Sequence, residues 1–280
     1  MPNFDISQYV NMAPIELRRL VRAGKVKSIP TAGMCAGYAQ ANLVILPKEY
    51  AEDFKTFARL NPGPCPILEV LDGDPHTRDM GEDGNILTDI PEYFIYRDGK
   101  LAERCTDATP YWQEGMVGFL IGCSFSFEEA LMKAGIEVRH IATGRNVPMY
   151  KTSVATKPAG PFCGPTVCSM WPMTPEDAQR AYDITAAMPN VHGAPIQIGE
   201  PEKIGVQDVM KPDYGEAVDI YPGEVPVFWP CGVTPQAAIE NAKPPIVITH
   251  SPGHMFITDV LNSELNDYLE QKSRKHKAIG

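Results

Sequence analysis

The chain has 280 residues, 44% of them hydrophobic and 21% charged, with a formal net charge of −10. That balance gives a globular protein with a full core, in one large domain or two smaller ones, and it excludes nucleic acid and anionic membranes as partners, since both require basic surface. No apolar run approaches the ~20 residues that span a bilayer, no leader is legible at the start, and seven cysteines without framework spacing indicate reduced thiols in a cytoplasmic setting.

Residues 14–23 have an amphipathic helical pattern stopped by Gly24. Residues 33–46 start with small residues and read as a helix carrying Gln40 and Asn42, ended by Pro47; residues 50–60 read as a second amphipathic helix. Strands are expected at 66–71 and 93–96, the latter turning at Asp98-Gly99. Beyond Gly144, residues 147–156 and 166–173 read as paired strands, Thr174 caps a helix running to 188, and 194–198 and 206–209 read as short strands. Residues 258–271 read as a helix, and 272–277 as its solvated basic end.

Between these elements one unit occurs twice: an apolar strand, a cysteine, a helix cap three residues on, a helix, a strand and a histidine. The first copy runs from 117 through Cys123 and Ser126 to His140, the second from 225 through Cys231 and Thr234 to His250, with Cys-to-His separations of 17 and 19 residues. Strand–helix–strand reads as a crossover between parallel strands, with Cys and His at the strand ends where open sheets bind ligands. Ser126 with Glu129 reads as a capping box and Thr234-Pro235 as a cap followed by proline, so both helix starts would face anions. The bland alternative for each thiol is a small buried hydrophobe. The expected architecture is α/β: a mixed or parallel main sheet from 1–143 and 223–280 with helices on both faces, and an inserted α+β (ββαβ) domain over 144–222.

No nucleotide-binding glycine motif, P-loop or nucleophile elbow is present, so no cofactor is expected. His250-Ser-Pro-Gly-His254 spaces two imidazoles on a loop whose Pro-Gly forbids the helical geometry of a zinc motif; Asp259 or Glu224 would be the third donor, and proton transfer is the preferred role. Cys163 and Cys168, five apart, make neither a redox motif nor a zinc pair. Asp208, Asp213, Asp219 and Glu224 read as a solvated linker. The candidate catalytic set is therefore Cys123, Cys231, His250 and His254. The candidate substrate contacts are Ser124, Ser126, Arg145, Asn146, Lys151, His192, Gly232 and Thr234, since helix starts and the cations at a domain junction suit a small carboxylate or amino acid. Self-association into a homo-oligomer is left open.

Several of these segments resemble one family. They are Gly37-Tyr38 with Gln40-Ala-Asn-Leu43; Thr88-Asp-Ile-Pro91; Gly122-Cys-Ser-Phe-Ser-Phe-Glu128; Asn146-Val-Pro-Met-Tyr-Lys151; Ser169-Met-Trp-Pro-Met173; His192-Gly-Ala-Pro195 onward; the block from Gly223 through Trp229-Pro-Cys-Gly-Val-Thr-Pro-Gln236; and Thr249-His-Ser-Pro-Gly-His254. Together they resemble the D-glutamate cyclase family, also called putative hydro-lyases. The resemblance implies a carbon–oxygen lyase that closes D-glutamate to 5-oxo-D-proline with loss of water, and the missing P-loop argues that any such condensation proceeds without ATP. On that reading His250 is the base and Cys231 or His254 the acid, unless Cys231 first forms a thioester; backbone amides near Gly232 or Ser124 meet the oxyanion. Two other readings remain: a cofactor-free racemase working with Cys123 and Cys231, and a non-catalytic protein that binds a small acid.

Overall fold

The computed structural model describes residues 5–271. In chain order the elements are α1 (Pro14–Arg22), β1 (Tyr38–Pro47), α2 (Lys48–Leu60), β2 (Ile67–Asp72), β3 (Tyr93–Arg97), β4 (Lys100–Cys105), β5 (Met116–Gly122), α3 (Phe125–Lys133) and α4 (Arg139–Ala142). They continue with β6 (Met149–Ala155), β7 (Pro165–Met173), α5 (Pro175–Ala186), β8 (Gln197–Ile198), β9 (Val225–Pro230), α6 (Thr234–Ala242), β10 (Val247–His250) and β11 (Phe256–Leu261). The architecture is α/β with two sheets. The larger runs β2-β5-β1-β10-β3-β4, with β11 also paired to β1; the smaller runs β6-β7-β9-β8.

β1 replaces the helix expected over 33–46. Its run Tyr-Ala-Gln-Ala-Asn-Leu-Val-Ile-Leu-Pro is buried on both faces, with β5 along one edge and β10 and β11 sharing the other. A strand enclosed on both sides shows no polar alternation, and its alanines and leucines read equally well as helix, so periodicity could not separate the two. At the far end 258–271 divides into β11 and a helical segment over 265–271, because Phe256 and Ile257 complete the β1 edge. The basic run 272–277 lies outside the described residues.

The expected parallel crossovers do not form: each pairing of strands is antiparallel among the described residues. In the first unit residues 136–140 lead into the short helix α4 instead of a strand. In the second, β9 and β10 belong to different sheets, so α6 passes between sheets rather than across one. Ser126 and Thr234 are not caps either. The residues before α3 and α6 are Ser124 and Val233, neither making a side-chain cap bond. The hairpin partner β4, all but one of its residues exposed, had no apolar alternation to announce it, and 206–209 forms no strand.

Other expectations hold: α1, α2, β2, β3, β6, β7 and α5, the last with the Thr174 hydroxyl accepting the Asp177 N–H. Phe54 and Phe57 of α2 pack on Phe119 and Phe162 against one face of the larger sheet. Trp171 and Trp229 meet edge to face at 5.1 Å on neighbouring strands of the smaller sheet, and Phe127 of α3 packs on both. That aromatic contact joins the first Cys–helix unit to the sheet that carries the second.

Candidate active site

The two cysteine junctions correspond in strand register. Ala41 pairs with Gly122 on β1–β5, and Cys168 with Pro230 on β7–β9. One step further, Cys123 comes opposite Gln40 and Cys231 opposite Val167, whose carbonyl accepts the Cys231 N–H at 2.9 Å. The residue three beyond each cysteine then holds the peptide of the neighbouring strand. Ser126 Oγ accepts the Gln40 N–H at 2.9 Å and Thr234 Oγ accepts the Val167 N–H at 2.9 Å.

Each sulfur rests at the start of a buried helix. Cys123 Sγ accepts the Phe125 N–H at 3.5 Å. Burial pushes this thiol well above its ordinary range, the Phe125 N–H opposes, and nearby Cys231 adds to the rise. Burial likewise raises Cys231, against hydrogen bonds from Ser169 and the Val233 N–H. Cys123 and Cys231 share one hydrophobic cluster and are 3% and 6% exposed, so both are neutral thiols behind the protein surface. Ser124, Ser126 and Thr234 are buried with them, and the helix starts do not open to solvent as expected.

Asn42 and Leu43 link these junctions to the second-unit histidine. Asn42 Nδ2 donates to Gly122 O at 2.7 Å, and its amide lies so close to Gly232 that a Cβ there would overlap it. Leu43 meets His250 Nδ1 through its N–H at 3.1 Å and its carbonyl at 3.2 Å. His250 is fully enclosed; burial pushes its pKa down to about 4, against the raising effect of the Leu43 peptide. Its carbonyl accepts from Gln236 Nε2 at 2.9 Å, and Gln236 Oε1 accepts from Tyr96 at 3.2 Å. His192 sits apart, in left-handed backbone with φ 85°, its Nδ1–H donating to Gly63 O at 2.8 Å. Burial pushes its pKa to about 4 as well.

The open part of the site is a cavity of about 520 Å³ bordered by His254, Asn146, Glu92, Tyr96, Arg104 and Tyr214, with Asp213, Glu216 and Glu240 around its walls. His254 is the one histidine on that border. Its Nδ1 lies 3.2 Å from Pro252 O, which places the proton on Nδ1, and Nε2 is itself buried, with no hydrogen-bond partner among the described residues. Burial lowers its pKa, while the Glu92 carboxylate and the carbonyls of Pro252, Ser28 and Ser251 pull it up. Glu92 accepts hydroxyls from Ser28 at 2.6 Å and Ser251 at 2.8 Å; burial raises its pKa, but these bonds leave it below the ordinary carboxylate range. Asn146 Nδ2 donates to the same Pro252 carbonyl at 3.0 Å and packs on Gly253, whose lack of a Cβ admits that approach.

The candidate residues thus fall into layers. His254 and Asn146 border the cavity; Cys123, Cys231, His250, Ser124, Ser126, Gly232 and Thr234 are enclosed; His192 lies against Gly63. Lys151 is held by Glu240 at 2.8 Å, and Arg145 by Ala217 O at 2.8 Å with Asp219 at 3.8 Å. Neither cation is left for a substrate carboxylate, and four acids against Arg104 make the cavity acidic rather than anion-friendly. From the acidic series, Glu224 forms a paired ion bridge with Arg139 at 2.6 and 3.2 Å instead of a solvated linker. Sequence reasoning missed Glu92, Arg104, Tyr96 and Gln236, whose roles come from pairings between distant strands. Asn42 carried a signal, shared with Gln40, of an amide in an otherwise apolar run, that the helix reading hid. Among the described residues no group of three or more His, Cys, Asp or Glu side chains is arranged to hold a metal. No helix there is long and apolar enough to cross a membrane.

An imidazole and several carboxylates on the border of one cavity are the kind of grouping an enzyme site presents. The sequence profile of the D-glutamate cyclase family matches residues 117–259, from β5 through the His254 loop. A "Putative hydro-lyase" of Clostridium beijerinckii is 55% identical over 258 residues, 92% of this chain and 98% of that protein. "Putative hydro-lyase YcsI" of Bacillus subtilis is 55% identical over 91% of this chain and 99% of its own, and "Putative hydro-lyase Bpet2233" of Bordetella petrii is 53% identical over 87% and 92%. The chain belongs to the D-glutamate cyclase family, whose relatives carry the names of carbon–oxygen lyases.

Proposed function

We propose that the protein closes a small amino dicarboxylic acid on itself with loss of water, D-glutamate giving 5-oxo-D-proline, in the cavity bordered by His254. Family membership supports the reaction class, and the observation that carries the assignment is the neutral His254 imidazole at the cavity edge. The acidic wall of Glu92, Asp213, Glu216 and Glu240 attracts the α-ammonium, and Arg104 is the cation for a carboxylate. His254 takes one ammonium proton, since an ammonium is no nucleophile. The freed amine forms a C–N bond at the side-chain carboxyl carbon and a C–O bond of that carboxyl breaks. The departing oxygen leaves as water with two protons, one returned by His254 and one from the attacking nitrogen. Folding the substrate into attack geometry supplies about 7 kcal/mol or more of the barrier reduction.

The test is chiral chromatography of 5-oxoproline formed from D-glutamate by the purified protein. His254→Gln is expected to lower the rate about 10²–10⁴-fold, and Cys231→Ala to leave most of it. No product from either glutamate enantiomer overturns the substrate assignment; an undiminished rate in His254→Gln overturns the role of the imidazole.

The matched junctions of Cys123 and Cys231 do not favour the other reading, proton exchange at a substrate Cα between two thiols, since both thiols are enclosed and neutral. Turnover in deuterated water separates the two: exchange labels Cα, cyclisation does not.

A further inference from the structure

The walls of the His254 cavity are unbalanced in charge. Glu92, Asp213, Glu216 and Glu240 all line it, each half-buried or exposed, and Arg104 is the one cation among its lining residues. Lys151, outside the lining, answers Glu240 at 2.8 Å. Asp213 accepts the Lys151 backbone N–H at 2.8 Å, Glu216 that of Asn146 at 3.1 Å, and Glu92 the hydroxyls of Ser28 and Ser251, contacts that bring no positive charge. Three carboxylates therefore stand against one guanidinium, around an imidazole that burial keeps neutral. The volume, about 520 Å³, is also generous. Benzene, with six heavy atoms, fills a cavity of roughly 150 Å³, so the ten of glutamate need about half of this one.

Free glutamate suits such walls poorly. It brings two carboxylates and one ammonium, and once Arg104 holds the α-carboxylate the second faces acids with no cation of its own. We infer that the cavity also takes, and prefers, an N-γ-glutamyl amine whose amine arm ends in a second ammonium. That substrate has one carboxylate for Arg104, two ammonium groups for the acidic walls, a neutral amide carbonyl as the point of attack, and an arm for the remaining volume. The inference rests on the cyclisation proposed above and on the same imidazole. The α-ammonium gives one proton to His254, the freed nitrogen bonds to the amide carbon, and the bond from that carbon to the arm nitrogen breaks. Both protons lost by the α-nitrogen, one through His254 and one directly, end on the arm, which departs as a diammonium. The 5-oxoproline keeps one N–H, and neither water nor a nucleotide enters the balance.

Initial rates of 5-oxoproline release by the full chain, corrected for a blank without protein, test this with three probes. They are N-(γ-D-glutamyl)-1,4-diaminobutane, the N-butyl amide that lacks its terminal ammonium, and D-glutamate. The diamine conjugate is expected to exceed both others in kcat/KM by at least ~10-fold, a lower bound for one ion pair near a protein surface. Its margin over the butyl amide should shrink by at least ~3-fold between ~20 and ~500 mM sodium chloride. The same loss is expected in a double variant, Asp213→Asn with Glu216→Gln, whose amides keep an oxygen for the Lys151 and Asn146 N–H groups. Salt decides the matter if that variant fails to fold. Turnover of D-glutamate with slower or no turnover of the conjugates overturns the inference and leaves the cyclisation standing. Equal rates for the butyl amide and the diamine conjugate, or a margin that salt does not move, overturn the role of the distal ammonium. No 5-oxoproline from any probe overturns the cyclisation and the inference with it.

Discussion

Ser126 and Thr234 stand in the same relation to two different sheets, each hydroxyl accepting a strand N–H at 2.9 Å, from Gln40 and from Val167. The same hydroxyls approach the carbonyls of those two residues at 3.4 and 3.3 Å. A helix start is thereby fastened to the strand paired with the one that ends before its cysteine, once per sheet. Thr234→Val keeps the shape and removes the oxygen, leaving a buried N–H without a partner, so about 1–3 kcal/mol of stability should be lost. Thr234→Ser should recover most of it. Equilibrium urea unfolding measures both, and a Thr234→Val protein as stable as wild type would show that the bond contributes nothing.

Stability should fall as pH drops from 6.5 toward 4. His192 and His250 are buried neutral, each pushed from 6.5 to about 4 chiefly by desolvation. The unfolded chain takes up these protons first, so their contribution is complete above 6.5 and is lost as pH falls toward the folded value. Each is worth on the order of 3 kcal/mol. Glu92 and Glu224, held below the ordinary value of 4.5, act in the same direction only in more acid solution. Urea midpoints between pH 7.5 and 4.5 should therefore decline, and His192→Asn should flatten the slope. A midpoint constant from pH 7.5 to 5 contradicts the burial of neutral imidazoles.

Local chemistry made part of this legible in the sequence. The Thr174 cap, the Asp98-Gly99 turn and the amphipathic faces of α1 and α2 are decided within a few residues, and each formed as read. The strand–Cys–helix halves of the repeat were also legible, because apolar run, cysteine and hydroxyl recur at fixed spacing. Their pairing was not. Whether 136–140 continues as a strand, and whether β9 and β10 share a sheet, depends on edges supplied by segments far away in sequence. The site divides the same way. His254 and Asn146 could be singled out from their motifs, whereas Glu92, Arg104 and Tyr96 reach the cavity only because β3 pairs with both β10 and β4.

Thiol reactivity should follow burial. Cys163 is exposed, Cys105 is intermediate, and Cys35, Cys65, Cys123, Cys168 and Cys231 are buried. Desolvation pushes Cys105 up to about 11 and Cys35 to about 12, which keeps both as thiols near neutral pH. Titration of the native protein with an aromatic disulfide at pH 8 should show a single fast thiol, absent in Cys163→Ser, then a slow one. The buried five should react only on unfolding. Fast native labelling of Cys123 or Cys231, located by mass spectrometry, would break this ordering and open the interior route that a two-thiol mechanism requires.

Gly232 and Asn42 form the tightest contact between the second cysteine junction and the central strand. A methyl at Gly232 would overlap the Asn42 amide, which cannot retreat without releasing the Gly122 carbonyl it holds at 2.7 Å. Gly232→Ala should therefore cost about 1–3 kcal/mol through overpacking. Asn42→Ala should cost a similar amount, since it strands the Gly122 carbonyl in the interior. The two losses share a cause, so they should not add. Once the amide is gone, the new methyl occupies space the amide vacated, and the double variant should be more stable than the sum of the singles by about 1 kcal/mol or more. A double-mutant cycle by urea unfolding measures that coupling. Additive losses would mean that the junction and β1 are held together elsewhere, and that the link from Cys231 through Asn42 to Gly122 is only a proximity.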